Sequence, residues 1–132
     1  MAGVAWVLGI DCGRHKTGVA VGQTLTKTAQ PIEIIKKPLS SLTAQDFLHI
    51  LQEWRVKAVV MGVPQQADGL AHPLHDNINR LAGEFTTDFQ LPVYFMDEYL
   101  SSHEARQRGG DKKTIDDIAA AVILETWLVE QG

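Results

Sequence analysis

Hydrophobic positions along the chain follow two rhythms, short unbroken runs and stripes of helical period. Val4–Asp11 is almost wholly apolar up to its last residue, the pattern of a strand buried on both faces that ends in a carboxylate. Gly13 and Gly18 bracket a turn, and Thr17–Gly22 (TGVAVG) reads as the hairpin partner of that strand. Pro31 closes a loop before a third, more exposed strand at Ile32–Lys37. Thr43, with Asp46 three residues on, marks a helix start. Phe47, Leu48, Leu51 and Trp54 then keep the 3.6-residue period. Ala58–Val63 is a second unbroken apolar run, as a central parallel strand requires, and Pro64–Gly69 is a loop. Leu74, Ile78, Leu81, Ala82 and Phe85 predict a second amphipathic helix. Leu91–Asp97 is a fifth strand, with Pro92 at its start, where a missing donor is tolerated. Ser101 and Glu104 open a short helix to about Arg108, broken by Gly109-Gly110. The last helix is expected from Thr114 to about Glu130, with Asp117 completing its capping pair and Ile115, Ile118, Val122, Ile123 and Trp127 on its apolar side. Trp54, Phe85 and Trp127 read as core.

The resulting order, β-β-β-α-β-α-β-α-α, predicts an α/β fold: a mixed five-stranded sheet flanked by helices, of ribonuclease-H-like architecture. The 132 residues (14.5 kDa) suit one domain, and the absence of repeats, low-complexity tracts or a linker leads us to read 1–132 as a single unit. No apolar run reaches the roughly 20 residues of a membrane span, and the start reads as a strand rather than a signal peptide. Cys12 is the sole cysteine, which excludes an intramolecular disulfide and a multi-cysteine zinc site and suits the reducing cytoplasm.

Net charge is −4, which on its face disfavours a nucleic-acid partner, but its distribution does not. Residues 14–37 hold Arg14, Lys16, Lys27, Lys36 and Lys37 against Glu33, a net +4. Residues 99–115 hold Arg106, Arg108, Lys112 and Lys113 against Glu104 and Asp111, a net +2, so the remainder carries −10. Two basic stretches on an acidic body suit local contact with a phosphate backbone, although solvated loops produce the same pattern.

Three carboxylates fall where such folds place ligands, beyond the carboxyl ends of strands. Asp11 ends the first strand, Glu98 follows the fifth, and Asp116 lies in the first turn of the last helix. Packed across the sheet beside the first strand, that helix brings Asp116 towards the other two. Clustered carboxylates repel unless cations share the site. Their hard oxygens select Mg²⁺ or Mn²⁺ over zinc, and two such ions about 3.5–4 Å apart promote phosphodiester hydrolysis by water. Taken singly, each acid has an ordinary structural reading as a turn former, a loop residue or a helix-end charge. The combination carries the functional one.

Five blocks together resemble the YqgF (RuvX-like) family. They are GIDCGRHKTGVAVG (9–22), TAQP (28–31), GVPQQADG (62–69), DEYLSSHEA (97–105) and IDDIAAAVILETWL (115–128). The resemblance covers nearly the whole chain, and five blocks in order are specific where GIDxG alone, shared with actin-like ATPases, is not. It implies a ribonuclease-H-like, metal-dependent nuclease of the bacterial cytoplasm that matures the 5′ end of pre-16S rRNA in ribosome biogenesis. It also places Asp11, Glu98 and Asp116 on the family's metal-binding carboxylates. Departures are His15, where the family usually has a second basic residue, and Tyr99 in place of an expected Arg. The stretch between Arg106 and Asp116 is short, Cys12 stands where an aromatic is common, and Asp117 lies beside Asp116, so that the choice between those two as ligand rests on alignment.

The first expectation is therefore an Mg²⁺- or Mn²⁺-dependent endonuclease on structured RNA, with branched DNA the weaker substrate. Asp11, Glu98 and Asp116 would be its catalytic and metal-binding residues, and Arg14, His15, Lys16, Arg106, Arg108, Lys112 and Lys113 would contact the backbone. The alternatives are a non-catalytic RNA- or ribosome-binding module, or a Holliday-junction-type DNA endonuclease, on the same scaffold. An actin-like phosphotransferase needs a second domain that 132 residues cannot supply. The pair His72 and His75 has helical spacing but no third ligand nearby, and His103, Ser101 and Ser102 read as helix-start residues.

Overall fold

A computed structural model describes residues 5–63, 74–97 and 115–131. Its sheet contains β1 (Trp6–Cys12), β2 (Thr17–Gln23), β3 (Thr28–Ile35), β4 (Val56–Val63) and β5 (Val93–Asp97), in the order β3-β2-β1-β4-β5. β1–β2 and β2–β3 pair antiparallel, whereas β1–β4 and β4–β5 pair parallel. Helices α1 (Leu48–Trp54), α2 (His75–Phe89) and α3 (Ile115–Gln131) complete the described elements. The mixed five-stranded sheet with flanking helices is the architecture expected from the sequence.

The central strands are buried on both faces, which is why their sequences run apolar without alternation. Leu8, Ile10 and Cys12 with Val19 and Val21 face α1 and α2, where they pack with Phe47, Ile50, Leu51, Ile78, Leu81 and Phe85. The rings of Phe47 and Phe85 meet edge to face at 5.2 Å, and Trp6 meets Trp54 at 4.8 Å. On the opposite face Val7 and Val60 pack with Ile123, Leu124 and Leu128 of α3, while Ala20 packs with Ala120 and Ala121.

Several boundaries differ from expectation. β3 begins at Thr28 and contains Pro31, which had read as the end of a loop. Pro31 pairs with Ala20 where the register shifts, on a strand at the sheet edge, so its missing N–H costs no central ladder bond. The helix expected from Thr43 opens with a 3₁₀ turn (Ala44–Phe47) before α1, although the capping pair is present: the Asp46 carboxylate accepts the Thr43 N–H at 2.9 Å. A further 3₁₀ turn at Leu39–Ser41 had no sequence signal that we read. β4 starts at Val56 and β5 at Val93, each two residues from its expected start. α2 buries Ile78, Leu81, Ala82 and Phe85 as its period requires. In α3 burial runs unbroken from Ala119 to Leu124, so its contact surface is wider than the expected stripe and includes Ala120, Leu124 and Leu128.

Close approach of α3 depends on β1 having no side chain at Gly9. A Cβ there would lie 2.9 Å from Leu124 Cβ and 3.0 Å from the Ala120 carbonyl oxygen.

Candidate active site

β1 carries Asp11 to the end of the sheet where β1, β4 and β5 all terminate. Its side chain is 7% exposed. Strand alternation puts it on the face of Val7 and Gly9, the face that α3 covers. Its lateral neighbours in the ladder are Gly18 of β2 and Gly62 of β4, so neither adjoining strand places a side chain beside the carboxylate. A buried carboxylate is chemically suited to a hard divalent cation.

The direction of α3 follows from two contacts. Leu128 lies near Gly22, the ladder partner of Val7, whereas Ala120 lies over Gly9. The helix therefore runs antiparallel to β1. The first turn of α3, whose backbone contains positions 116 and 117, thus lies towards the Asp11 end of the sheet and turns its positive end that way. β5 ends at Asp97, paired with Val63, one residue past Gly62. Glu98 follows it in sequence and lies outside the described residues, as do Arg106, Arg108, Lys112, Lys113, His72, Tyr99, Ser101, Ser102 and His103. Among the described residues no group of three His, Cys, Asp or Glu side chains is placed to hold a metal ion.

Arg14, His15 and Lys16 form the exposed tip between β1 and β2, at the Asp11 end. Gly13 makes this tip tight: its N–H donates to the Lys16 carbonyl oxygen at 2.9 Å, and a Cβ at position 13 would meet that oxygen at 2.6 Å. The Leu39 N–H donates to the Arg14 carbonyl oxygen at 3.0 Å, fixing the tip against the segment after β3. That segment is itself fastened: Arg80 Nη2 donates to the Leu39 carbonyl oxygen at 3.0 Å and Arg80 Nη1 pairs with Glu84 at 2.8 Å. Lys37 donates to both oxygens of Asp46, at 3.1 and 3.0 Å. Burial works to raise the Asp46 carboxyl, but the Thr43 N–H and the Lys37 ammonium outweigh it and hold the group below its usual range.

The sequence stretch 14–37 is thus not one basic patch. Lys36 and Lys37 follow the end of β3, beside the Arg14–Lys16 tip, but Lys27 sits in the β2–β3 turn at the other end of the sheet. Cys12 is buried among apolar side chains, in keeping with a packing role, and His75 opens α2. Sequence reasoning passed over Thr17, fully buried opposite Cys12, whose hydroxyl has no hydrogen-bond partner among the described residues. A buried threonine at a strand start carries no distinguishing sequence signal.

Sheet order and strand directions together define an α/β protein of the ribonuclease-H-like fold class. RuvC of T. thermophilus in complex with a Holliday junction substrate has a TM-score of 0.57 at 18% identity, covering 97% of this chain and 96% of that one. The fowlpox virus Holliday junction resolvase gives 0.60 at 15%, covering 95% and 99%. At these identities the likeness establishes the fold. Family follows from sequence: the chain belongs to the RuvX family, described as Holliday junction resolvase, whose model matches residues 5–130. Proteins named "Putative pre-16S rRNA nuclease" are 36% identical in Hydrogenovibrio crunogenus and 38% identical in Bordetella pertussis, each match covering 92% of both chains. One from Aeromonas salmonicida is 35% identical over 95% of both.

Proposed function

We propose that this chain is a divalent-metal-dependent endonuclease of the cytoplasm that hydrolyses phosphodiester bonds in precursor ribosomal RNA, at the step that matures the 5′ end of 16S rRNA. The observation that carries the reading is Asp11: a nine-tenths buried acidic residue at the end of β1, flanked by two glycines, at the end of the sheet towards which α3 turns its first turn. Family membership and the relatives' names give the substrate class.

In this reading Asp11, Glu98 and Asp116 hold Mg²⁺ or Mn²⁺. The bound metal supplies charge neutralisation at the scissile phosphate and lowers the pKa of the attacking water. Asp11 is held by the rigid centre of the sheet, so its carboxylate is oriented before substrate arrives, and the adjoining Gly18 and Gly62 put no side chain beside it. Arg14, His15 and Lys16 grip the backbone from the exposed tip, with Arg106, Arg108, Lys112 and Lys113 as the second set of contacts.

The test is cleavage of a 5′-extended 16S precursor by the wild-type chain and by Asp11→Asn, with and without Mg²⁺, alongside a four-way DNA junction. Mg²⁺-dependent cleavage of the RNA, lost to background in a folded Asp11→Asn, is the expected result. An Asp11→Asn protein as active as wild type rejects the site. Preferential cleavage of the junction shifts the substrate to branched DNA, and binding without turnover makes the chain a binding module.

A further inference from the structure

The paired lysines at 36 and 37 are equivalent in sequence and divided by the structure. Glu33, Ile35 and Lys37 share one face of the β3 end. Ile35 packs into the core beneath α1 and α2, Glu33 pairs with His49 of α1 at 2.9 Å, and Lys37 is committed to Asp46. Lys36 lies between Ile35 and Lys37 and is exposed. The Lys37 N–H donates to the Ile35 carbonyl oxygen at 3.1 Å, closing a tight turn centred on Lys36 just past β3, at the Asp11 end of the sheet. The register Asp11↔Gly18 and Gly18↔Ile34 places β3 two strands across from Asp11, with this turn at the same end of the sheet. Thr17 pairs with Ile35, so Lys36 leaves β3 at the end of the sheet where Lys16 enters β2, and the fastening of Leu39 and Lys37 holds its backbone in place.

We propose that Lys36 contacts a phosphate of the bound strand, which leaves the Asp11 end of the sheet across the outer strand β3. The partner is a nucleic-acid backbone, as the nuclease reading above supplies, and the inference rests on that reading.

The test is the salt dependence of binding to a fluorescein-labelled RNA hairpin with a single-stranded 5′ extension, with Ca²⁺ replacing Mg²⁺, over about 50–200 mM KCl. Lys36→Ala is expected to weaken binding several-fold and to reduce the slope of log K against log[KCl] by about 0.7–0.9, the share of one phosphate contact. Lys36→Arg retains the slope. Lys27→Ala, which removes the same charge at the far end of the sheet, leaves affinity and slope at wild-type values. An unchanged slope in Lys36→Ala overturns the inference, as does an equal loss in Lys27→Ala. Cleavage in Mg²⁺ is scored separately. Cleavage by the wild type with an unaltered Lys36→Ala slope overturns this contact alone, whereas a lowered slope without any cleavage supports the contact and overturns the nuclease reading.

Discussion

Asp11 occupies a position in which a carboxylate has little water to solvate it, an environment that favours a cation partner. If a divalent ion binds there, it stabilises the folded chain by mass action, about 2.7 kcal/mol at a hundredfold excess over its Kd. Thermal denaturation is expected to show Mg²⁺ raising the melting temperature of wild type and leaving that of Asp11→Asn where it was; equal shifts in both would place the ion elsewhere. Gly9 is a residue-scale test of how α3 is seated. Gly9→Ala forces a Cβ against Leu124 and the Ala120 carbonyl, an overpacking expected to cost about 1–3 kcal/mol in urea denaturation. A neutral Gly9→Ala would mean that the helix does not approach this closely. Asp11 was legible as a strand-ending acid, and Gly13 as a turn residue. Nothing in the sequence distinguished Lys36 from Lys37, because the difference is set by the Asp46 carboxylate nine residues on, which takes Lys37.

At the scale of elements, legibility tracked burial. β1, β2, β4 and α2 were read close to their observed places because each has a face or faces wholly in the core. β3 was misplaced because it is an edge strand, half-exposed, with a proline that belongs to an irregular pairing. The segment 36–47 is held by polar contacts between residues far apart in sequence, such as Ala44 N–H to Glu84 at 2.9 Å, which no periodicity reveals. That segment supplies a pH prediction. The Asp46 carboxyl titrates lower in the folded chain than its unfolded value near 3.9, so it contributes stability above about pH 4 and loses it as pH falls through the folded value. With Lys37 more than a third exposed, solvent screening keeps the contribution within about 1 kcal/mol. Asp46→Asn is expected to lower stability at pH 7 and to flatten the acid limb of the stability curve. An unchanged acid limb would contradict the assignment.

At the scale of the whole molecule, the described basic residues stand at both ends of the sheet: Arg14, Lys16 and Lys36 at the end that carries Asp11, Lys27, Arg55 and Lys57 at the other. A chain of net charge −4 therefore still offers a basic approach to its acidic centre, which suits a nucleic-acid backbone drawn to a local field. The fold class was readable because element order and direction are dictated by which segments must be buried. The proposed site was readable only as separated acids, since whether they converge is decided by topology, in which β1 and α3 meet through the seating at Gly9. The central claim is that Asp11, Glu98 and Asp116 share a divalent ion. The most direct measurement is anomalous scattering from crystals of the full chain soaked in Mn²⁺. The account predicts anomalous density beside the Asp11 carboxylate, which Glu98 and Asp116 would help to hold; a saturated soak with no density at Asp11, or with Asp11 bound to an arginine instead, contradicts it.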